Sequence, residues 1–156
     1  MRGKTQAMRL EKMMQRHIPL LAYSVTLPSM KIKSKRLKTL LKGDVLLLGI
    51  STLEMQLRED GIIYTSVKIK NSEKKLVLEV SEIEEVALNT YNTKKYKNID
   101  FTLALVKSKK LEVGNTIEID KSILDNIEVV VNHKTFAYGT LVNVNNKIAI
   151  EINKVI

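Results

Sequence analysis

Two kinds of residue in this sequence could take part in chemistry: its two histidines and one group of glutamates. His17 precedes the first apolar segment and His133 lies in "VNHK", and neither has an acidic neighbour in the sequence. A histidine needs an orienting partner to act as a general base, so both are expected to be solvated. Glu82, Glu84 and Glu85 lie in "SEIEEVAL". Clustered carboxylates could bind a metal, but no His or Asp lies nearby to complete such a site.

Other catalytic patterns are absent from the sequence. The six glycines are scattered singly, whereas phosphate-binding loops need several close together, and no serine lies in a Gly-x-Ser-x-Gly turn. The chain has no cysteine, which excludes disulfides, cysteine-zinc sites and thiol nucleophiles and favours a reducing compartment. We therefore predict a protein that is not an enzyme and that uses no cofactor, metal or small-molecule substrate.

The positive charge is concentrated at the front of the chain. Residues 1–42 contain eleven of the 26 Lys and Arg residues but only one of the 17 acids. Such a segment could bind nucleic acid, anionic lipid or an acidic protein, and a solvated face would explain it equally well. The run "KIKSKRLKTLLK" contains no aromatic residue on which bases could stack. This lack weakens the case for single-stranded nucleic acid, and binding of nucleic acid or anionic lipid is kept as an alternative function. No apolar run reaches the length of a membrane span, and we expect a soluble, unexported protein.

Most of the chain has the alternating pattern of β-strands. A short helix is predicted over residues 5–16, and a second short helix or turn is predicted to end at Gly43. The first strand is predicted to end at Pro28, and "DVLLLG" is predicted to be a brief buried strand. The Asp-Gly of "REDG" suits a tight hairpin turn. The remaining predicted strands are "LEMQL", "IIYTSVKI", "KLVLEV", "IDFTLALV", "NTIEI", "NIEVVVNH", "FAYGTLVNV" and "NKIAIEI".

An ordered set of matches relates the two halves of the chain at a period of about 72 residues. Gly43 matches Gly114 and Leu53 matches Ile127, at offsets of 71 and 74. The Gly-Asp of "LLKGDVLLL" becomes Gly-Asn in "LEVGNTIEI", so Asp44 corresponds to Asn115. Because this echo lacks a carboxylate, we interpret both pairs as turns that launch a strand rather than as catalytic loops. The series of matches predicts a duplicated domain.

The duplication predicts how the chain is organised. We expect a basic helical lead over residues 1–16, a first β domain over 17–88, a linker over 89–98 and a second β domain over 99–156. Each copy is too small to bury a large core and would leave sheet edges open. The two copies are therefore expected to complete each other, and the fold class is mainly β with short helices, with two small domains forming an intertwined pseudo-dimer.

The second copy resembles a known family. The segment "NIEVVVNHKTFAYGTLVNVNNKIAIEI" is similar to the C-terminal half of a SpoA (surface presentation of antigens) domain, with Asn132 in the hairpin and Gly139 in the Ala-x-Gly step. "LLKGDVLLLG" and "LEVGNTIEI" resemble the Leu-x-x-Gly-Asp-x-Leu step of that family. The first copy lacks the Ala-x-Gly step, and His133 stands where the family has a hairpin glycine. Two such copies in one chain resemble the cytoplasmic-ring, or sorting platform, proteins of type III secretion, whose relatives are the flagellar motor switch proteins.

The resemblance implies a scaffold or adaptor without catalytic activity. It implies pairing with itself or with a second SpoA protein, and docking of the stalk (ATPase-regulator) protein of the export apparatus. The expected location is the cytoplasm, at the cytoplasmic face of the inner membrane. Tandem copies favour an injectisome, and a flagellar C-ring component is the alternative. Val129, Val131 and Leu141 could form the partner or dimer face, with a purely structural role in the core as the other interpretation. The large N-terminal domain usual in ring proteins is absent from these 156 residues, as in a fragment, an internally translated product or a short homologue.

Overall fold

Ten antiparallel strands form the described part of the chain in a computed structural model, which describes residues 20–60, 62–87 and 92–156. The helical segments are a short α-helix, α1 (Ser34–Lys38), and a 3-10 helix (Lys121–Asp125). The strands are β1 (Leu21–Lys33), β2 (Val45–Leu47), β3 (Met55–Glu59), β4 (Ile62–Asn71), β5 (Lys75–Ala87), β6 (Tyr96–Ser108), β7 (Thr116–Asp120), β8 (Ile127–Val131), β9 (Lys134–Val144) and β10 (Lys147–Val155).

All ten strands belong to one sheet with the order β2-β10-β9-β8-β6-β1-β3-β4-β5-β7. The long strands β1 and β6 lie side by side at its centre. Outward from them, β3, β4 and β5 follow on one side and β8, β9 and β10 on the other. The last strand on each side comes from the opposite half of the sequence, because β2 pairs with β10 and β7 pairs with β5. The prediction of a mainly β fold with little helix is confirmed.

Strand β1 continues through Pro28, so the prediction that it ends there is wrong. Its pairing with β6 shifts register between Leu27 and Met30. A bulge of this kind leaves residues unpaired, and proline is tolerated there because no ladder bond needs its missing N–H. The strand therefore extends five residues beyond Pro28, to Lys33, and the basic helix α1 follows it directly.

Tight hairpins follow the predicted turn chemistry. Asn132 and His133 join β8 to β9 with φ of 51° and 62°, and Asn145 and Asn146 join β9 to β10 with φ of 51° and 63°. Two successive positive φ angles are typical of the type I′ turn, which matches the twist of the paired strands. The Asp-Gly turn is partly described, with Asp60 at φ 45°.

The core runs across the whole sheet and draws on both halves of the sequence. Its fully buried large side chains are Tyr23, Phe101, Leu27, Met55, Leu57, Leu76, Leu78, Ile99, Ile127, Ile150, Ile152 and Val25. The prediction that β2 is a buried strand is wrong in part, because Leu46 is buried but Leu47 is 54% exposed at the end of the sheet. Such a burial pattern is that of an edge strand with one apolar anchor.

Some sequence predictions fall outside the described residues, namely the helix over 5–16 and His17. Tyr96 to Asn98, assigned above to the linker, lie in β6. The division into two domains stays a prediction. Over residues 20–60, 62–87 and 92–156, no helix is long and apolar enough to cross a membrane.

Candidate assembly site

The two predicted Gly-polar turns have matching geometry and dock on matching strands. Gly43 has φ +94° and Gly114 has φ +92°, in the left-handed region that favours glycine. The N–H of Gly43 donates to the carbonyl of Ile152 at 2.7 Å, and that of Gly114 donates to the carbonyl of Val80 at 2.8 Å. The N–H groups of Ile152 and Val80 donate back to the carbonyl of the residue after each glycine, both at 2.8 Å. Each turn is thus held to β10 or β5 by two backbone hydrogen bonds.

The polar residue after each glycine closes its turn in the same way. The carboxylate of Asp44 accepts the N–H of Leu41 at 2.8 Å, and the amide oxygen of Asn115 accepts the N–H of Glu112 at 2.8 Å. Either side chain satisfies an otherwise free donor with one oxygen atom. The geometry requires an acceptor and does not require a negative charge, which explains why Asp and Asn alternate at this position.

Aliphatic side chains anchor the chain on both sides of each turn. Leu40 and Leu46 flank the first turn and are 4% and 2% exposed. Leu111 and Ile119 flank the second turn and are also buried. Burying a leucine or isoleucine side chain stabilises the fold by about 1.5–3 kcal/mol relative to exposing it. These four buried side chains therefore help to hold β2 and β7 on the sheet, and the backbone bonds set the register.

Two tyrosines hold the backbone before the second turn. The hydroxyl of Tyr64 donates to the carbonyl of Leu111 at 3.0 Å, and the N–H of Leu111 donates to the hydroxyl of Tyr23 at 3.3 Å. The two rings lie 5.4 Å apart between centroids. Burial raises the pKa of both hydroxyls above the ordinary value, and the negative charge of Glu59 raises the pKa of Tyr64 further. The tyrosines therefore act as neutral hydrogen-bonding groups that position Leu111.

A partly buried ion pair crosses the centre of the sheet. Arg58 on β3 is 6% exposed and Asp100 on β6 is 25% exposed, and the guanidinium donates to the carboxylate at 2.9 Å. Arg58 also donates to the carbonyl of Leu27 at 3.2 Å on the intervening strand β1. The nearby register shift leaves Tyr64 on β4 as the extra residue, so β3 itself is regular and Arg58 points to the face opposite Leu57. The pair connects the two halves of the sequence directly.

Gly139 has a structural role in the pairing of β9 with β10. A Cβ placed there would lie 2.5 Å from Cγ2 of Ile150 and 2.9 Å from the carbonyl oxygen of Glu151. A side chain at this position would therefore displace the facing strand, which carries the docking site of the first turn.

The predicted partner face divides between core and surface. Val129 is fully buried, as the structural interpretation expects, while Val131 and Leu141 are partly buried against the core. Val131 also lines a groove of about 350 Å³ together with Lys134, Phe136 and the 68% exposed Ile156. The groove combines these apolar side chains with the polar Asn132 and Thr135 and the cationic Lys134, and it is the part of this face that a partner could reach.

The residues considered for catalysis do not converge in the described part of the chain. His133 lies in the β8–β9 turn beside a small polar cavity of about 50 Å³ that Asp100 also lines. The carboxylate of Asp100 is already bound to Arg58. Glu82, Glu84 and Glu85 are exposed along β5. Within residues 20–60, 62–87 and 92–156, no three His, Asp or Glu side chains are grouped as metal ligands.

Sequence reasoning missed the ion pair and the tyrosine pair. In an alternating strand Arg58 follows the buried Leu57 and is expected to face solvent. Polar groups of the distant strands β1 and β6 cover it on that face, and nothing in "LEMQLRE" signals those partners. A tyrosine inside an apolar strand does signal a buried hydroxyl that needs a partner. The sequence could not identify that partner, because Leu111 is 88 residues away from Tyr23.

Comparison with known proteins gives one family match. Residues 103–156 match the family described as Type III flagellar switch regulator (C-ring) FliN C-term. The matched segment runs from within β6 to the end of the chain and includes the second turn, Gly139 and the groove at Val131. No curated protein matches the chain.

Proposed function

We propose that the chain is a non-catalytic scaffold of a cytoplasmic switch ring, on the premise that residues 103–156 match the C-terminal domain family of the type III flagellar switch regulator and are consistent with a SpoA domain. This match supports a role in a type III secretion or flagellar switch complex. The proposal extends it to the chain as a whole: a building block of the injectisome sorting platform, located in the cytoplasm at the inner membrane. Two SpoA-like copies in one chain favour the sorting platform over the flagellar C-ring.

The observation that carries the proposal is the reciprocal docking of the two turns. Gly43 docks on β10 and Gly114 docks on β5, with closely similar hydrogen-bond lengths. Each half of the sequence thus supplies the terminal strand beside the final strand of the other half. On this basis the two halves are two SpoA-like domains, 17–88 and 99–156, that form an intertwined pseudo-dimer. A second SpoA chain could pair by the same exchange, which is how such a unit would assemble.

A disulfide test distinguishes pairing within one chain from pairing between chains. The native chain has no cysteine, and Val45 and Glu151 are register partners between β2 and β10. We expect V45C/E151C to oxidise within one chain, with loss of both free thiols and monomer mass on non-reducing gels. The pair E79C/T116C, register partners between β5 and β7, should behave in the same way.

Single-cysteine variants provide the control, since they should keep their thiol under the same oxidation. A disulfide-linked dimer from V45C/E151C would show exchange between chains and overturn the intrachain pseudo-dimer. Failure of both pairs to oxidise would contradict the strand pairing itself.

Docking of the stalk protein is proposed for the groove beside Val131. The groove contains the aliphatic and aromatic side chains that an apolar segment of a partner would bury, and it lies within the family match. In a pull-down with the N-terminal segment of the stalk protein, I156D should reduce binding at least tenfold, because it places a charge on an exposed apolar side chain. The matched control is I62D, which changes another partly exposed isoleucine in the other half. Equal binding by wild type and I156D would rule out this groove.

Binding of nucleic acid or anionic lipid is the second candidate function, because the basic residues of the front segment continue onto α1. It predicts binding to a DNA duplex or to acidic vesicles that weakens steeply with salt. Absence of such binding at low salt would eliminate it.

A further inference from the structure

The end of β1 and the helix α1 that follows it form a cationic surface. Lys31 and Lys33 lie at the end of β1, and Arg36 follows on α1, all exposed. The N–H of Ser34 donates to the carbonyl of Lys95 at 2.9 Å, which holds the junction of β1 and α1 against the residue just before β6.

This surface forms one wall of a groove. The groove has a volume of about 340 Å³ and lies between the end of β1 and strand β2. Its lining includes the aliphatic side chains of Met30, Leu46 and Leu47 and the cationic side chains of Lys31, Lys33 and Arg36. An apolar surface beside a row of cations suits a ligand that alternates aliphatic and acidic groups.

The same groove borders a free strand edge. In the described part of the sheet β2 has one strand neighbour, β10. The carbonyl of Asp44 and the N–H of Leu48 bond to β10. Because backbone groups alternate in direction along an antiparallel strand, the N–H and C=O of Val45 and Leu47 point away from β10. They are placed to pair with one further strand.

We propose that this groove binds an extended segment of a partner protein that alternates acidic and aliphatic residues, by adding a strand to the free edge of β2. Its backbone would pair with Val45 and Leu47, and its carboxylates would meet Lys31, Lys33 and Arg36. The surface is distinct from the groove at Val131, so the inference does not depend on stalk docking.

The observations favour this occupant over the other candidates. Nucleic acid would need stacking surfaces, and the lining of the groove is aliphatic and basic. A second copy could offer its own β2, which lies beside the same cations and would be repelled, or its other edge strand β7, whose acidic residues already have partners. Glu118 lies 3.5 Å from the ammonium of Lys75, and the carboxylate of Asp120 accepts the N–H of Ser122 at 2.9 Å.

The test is a titration of the full ¹⁵N-labelled chain with a nonapeptide of alternating glutamate and valine, followed by amide shifts. The largest shifts are expected at Val45 and Leu47. The double charge reversal K33E/R36E should weaken binding at least tenfold, because two charge pairs are replaced by repulsion. Its matched control is K109E/K110E, which reverses two exposed lysines outside the groove and should leave binding unchanged.

A second variant separates edge pairing from charge. L47P removes an N–H that points away from β10, so the fold should persist by circular dichroism while binding is lost. A peptide with lysine in place of glutamate should not bind.

Four outcomes would overturn the proposal. Absence of amide shifts at β2 with the glutamate peptide would show that the groove does not bind such a segment, and unchanged binding by K33E/R36E would show that the cations do not recognise it. Tighter binding of a 20-nucleotide single strand or of phosphatidylserine vesicles at the same residues would assign the groove to nucleic acid or lipid. Self-association of the chain that L47P abolishes would assign it to a second copy.

Discussion

The exchange of Asp for Asn between the two turns leads to a quantitative prediction about Asp44. If the side chain serves only as a hydrogen-bond acceptor for the N–H of Leu41, then Asp44→Asn should leave stability nearly unchanged and Asp44→Ala should lower it. The reciprocal changes Asn115→Asp and Asn115→Ala should behave in the same way, because Asn115 accepts the N–H of Glu112 at the same distance of 2.8 Å.

The expected magnitude follows from the exposure of these turns. A hydrogen bond exchanged against water contributes a net stability of about 0.5–1.5 kcal/mol. Both bonds lie at the exposed surface, so the lower part of this range applies, and each alanine variant should lose about 0.5–1 kcal/mol. The Asp/Asn exchanges keep the acceptor and should stay within about 0.5 kcal/mol of wild type.

Urea unfolding followed by circular dichroism measures these differences. With a slope of about 1–3 kcal/mol per molar urea, the alanine variants should shift the midpoint down by a few tenths of a molar unit at constant slope. Glu84→Ala provides the control, since Glu84 is exposed and its substitution should change stability by less than about 0.5 kcal/mol.

One pattern would refute the interpretation of the turn. If Asp44→Asn destabilised the protein as much as Asp44→Ala, the negative charge would be required, and the structural equivalence of the two turns would not explain the sequence. If all four variants were neutral, the side-chain bonds would contribute nothing and the turns would depend on the glycines and the backbone alone.

Three further outcomes can be checked on the same protein. Gly139→Ala should cost about 1–3 kcal/mol by overpacking against β10, measured as the change in unfolding free energy. Arg58→Leu should cost about 1–3 kcal/mol because it removes the buried partner of the 25% exposed Asp100 carboxylate, and adding Asp100→Leu should recover part of that loss in a double-mutant cycle. The pKa values of Tyr23 and Tyr64 should lie above the ordinary tyrosine value in an absorbance titration at alkaline pH. Because the folded state binds these protons more tightly, the contribution of the two hydroxyls to the free energy of unfolding is fully present below the unfolded pKa of 10. This contribution is lost as the pH rises through the folded pKa. The variant Tyr64→Phe should therefore lose less stability at alkaline pH.

Local features of this fold were predictable because they depend on local chemistry. The strands came from alternation, and the hairpin at Asn132 and His133 came from residue types that tolerate positive φ. The turns at Gly43 and Gly114 were found because the same pattern occurs twice. These predictions needed only contacts within a few residues.

Long-range pairing was not predictable in detail. Size and edge arguments indicated that the halves complete each other, but they did not specify that β2 lies beside β10. That pairing joins Leu46 to Ile150, more than 100 residues apart. The bulges at Pro28 and Tyr64 depend on the register of neighbouring strands, which alternation alone does not determine.

The backbone arrangement of the two halves is repeated, but some of the side chains that it carries are not. At the period of 72 residues, Arg58 corresponds to Val130 and Tyr64 corresponds to Phe136. The ion pair and the tyrosine hydroxyl bond to Leu111 therefore use residues that the second half does not repeat. These differences do not affect the docking of the two glycine turns, because the four hydrogen bonds that hold the turns involve only backbone N–H and C=O groups.

The two hairpins that carry Tyr64 and Phe136 differ for the same reason. The cavity beside Tyr64 is about 170 Å³ and is lined by Glu59, Asp60 and Glu85, whereas the corresponding groove beside Phe136 is about 350 Å³ with apolar, polar and cationic neighbours. A partner segment that carries carboxylates would be repelled at the first hairpin and accepted at the second. The repeated backbone therefore presents two surfaces of different specificity, and the two hairpins are not interchangeable as docking sites for one partner.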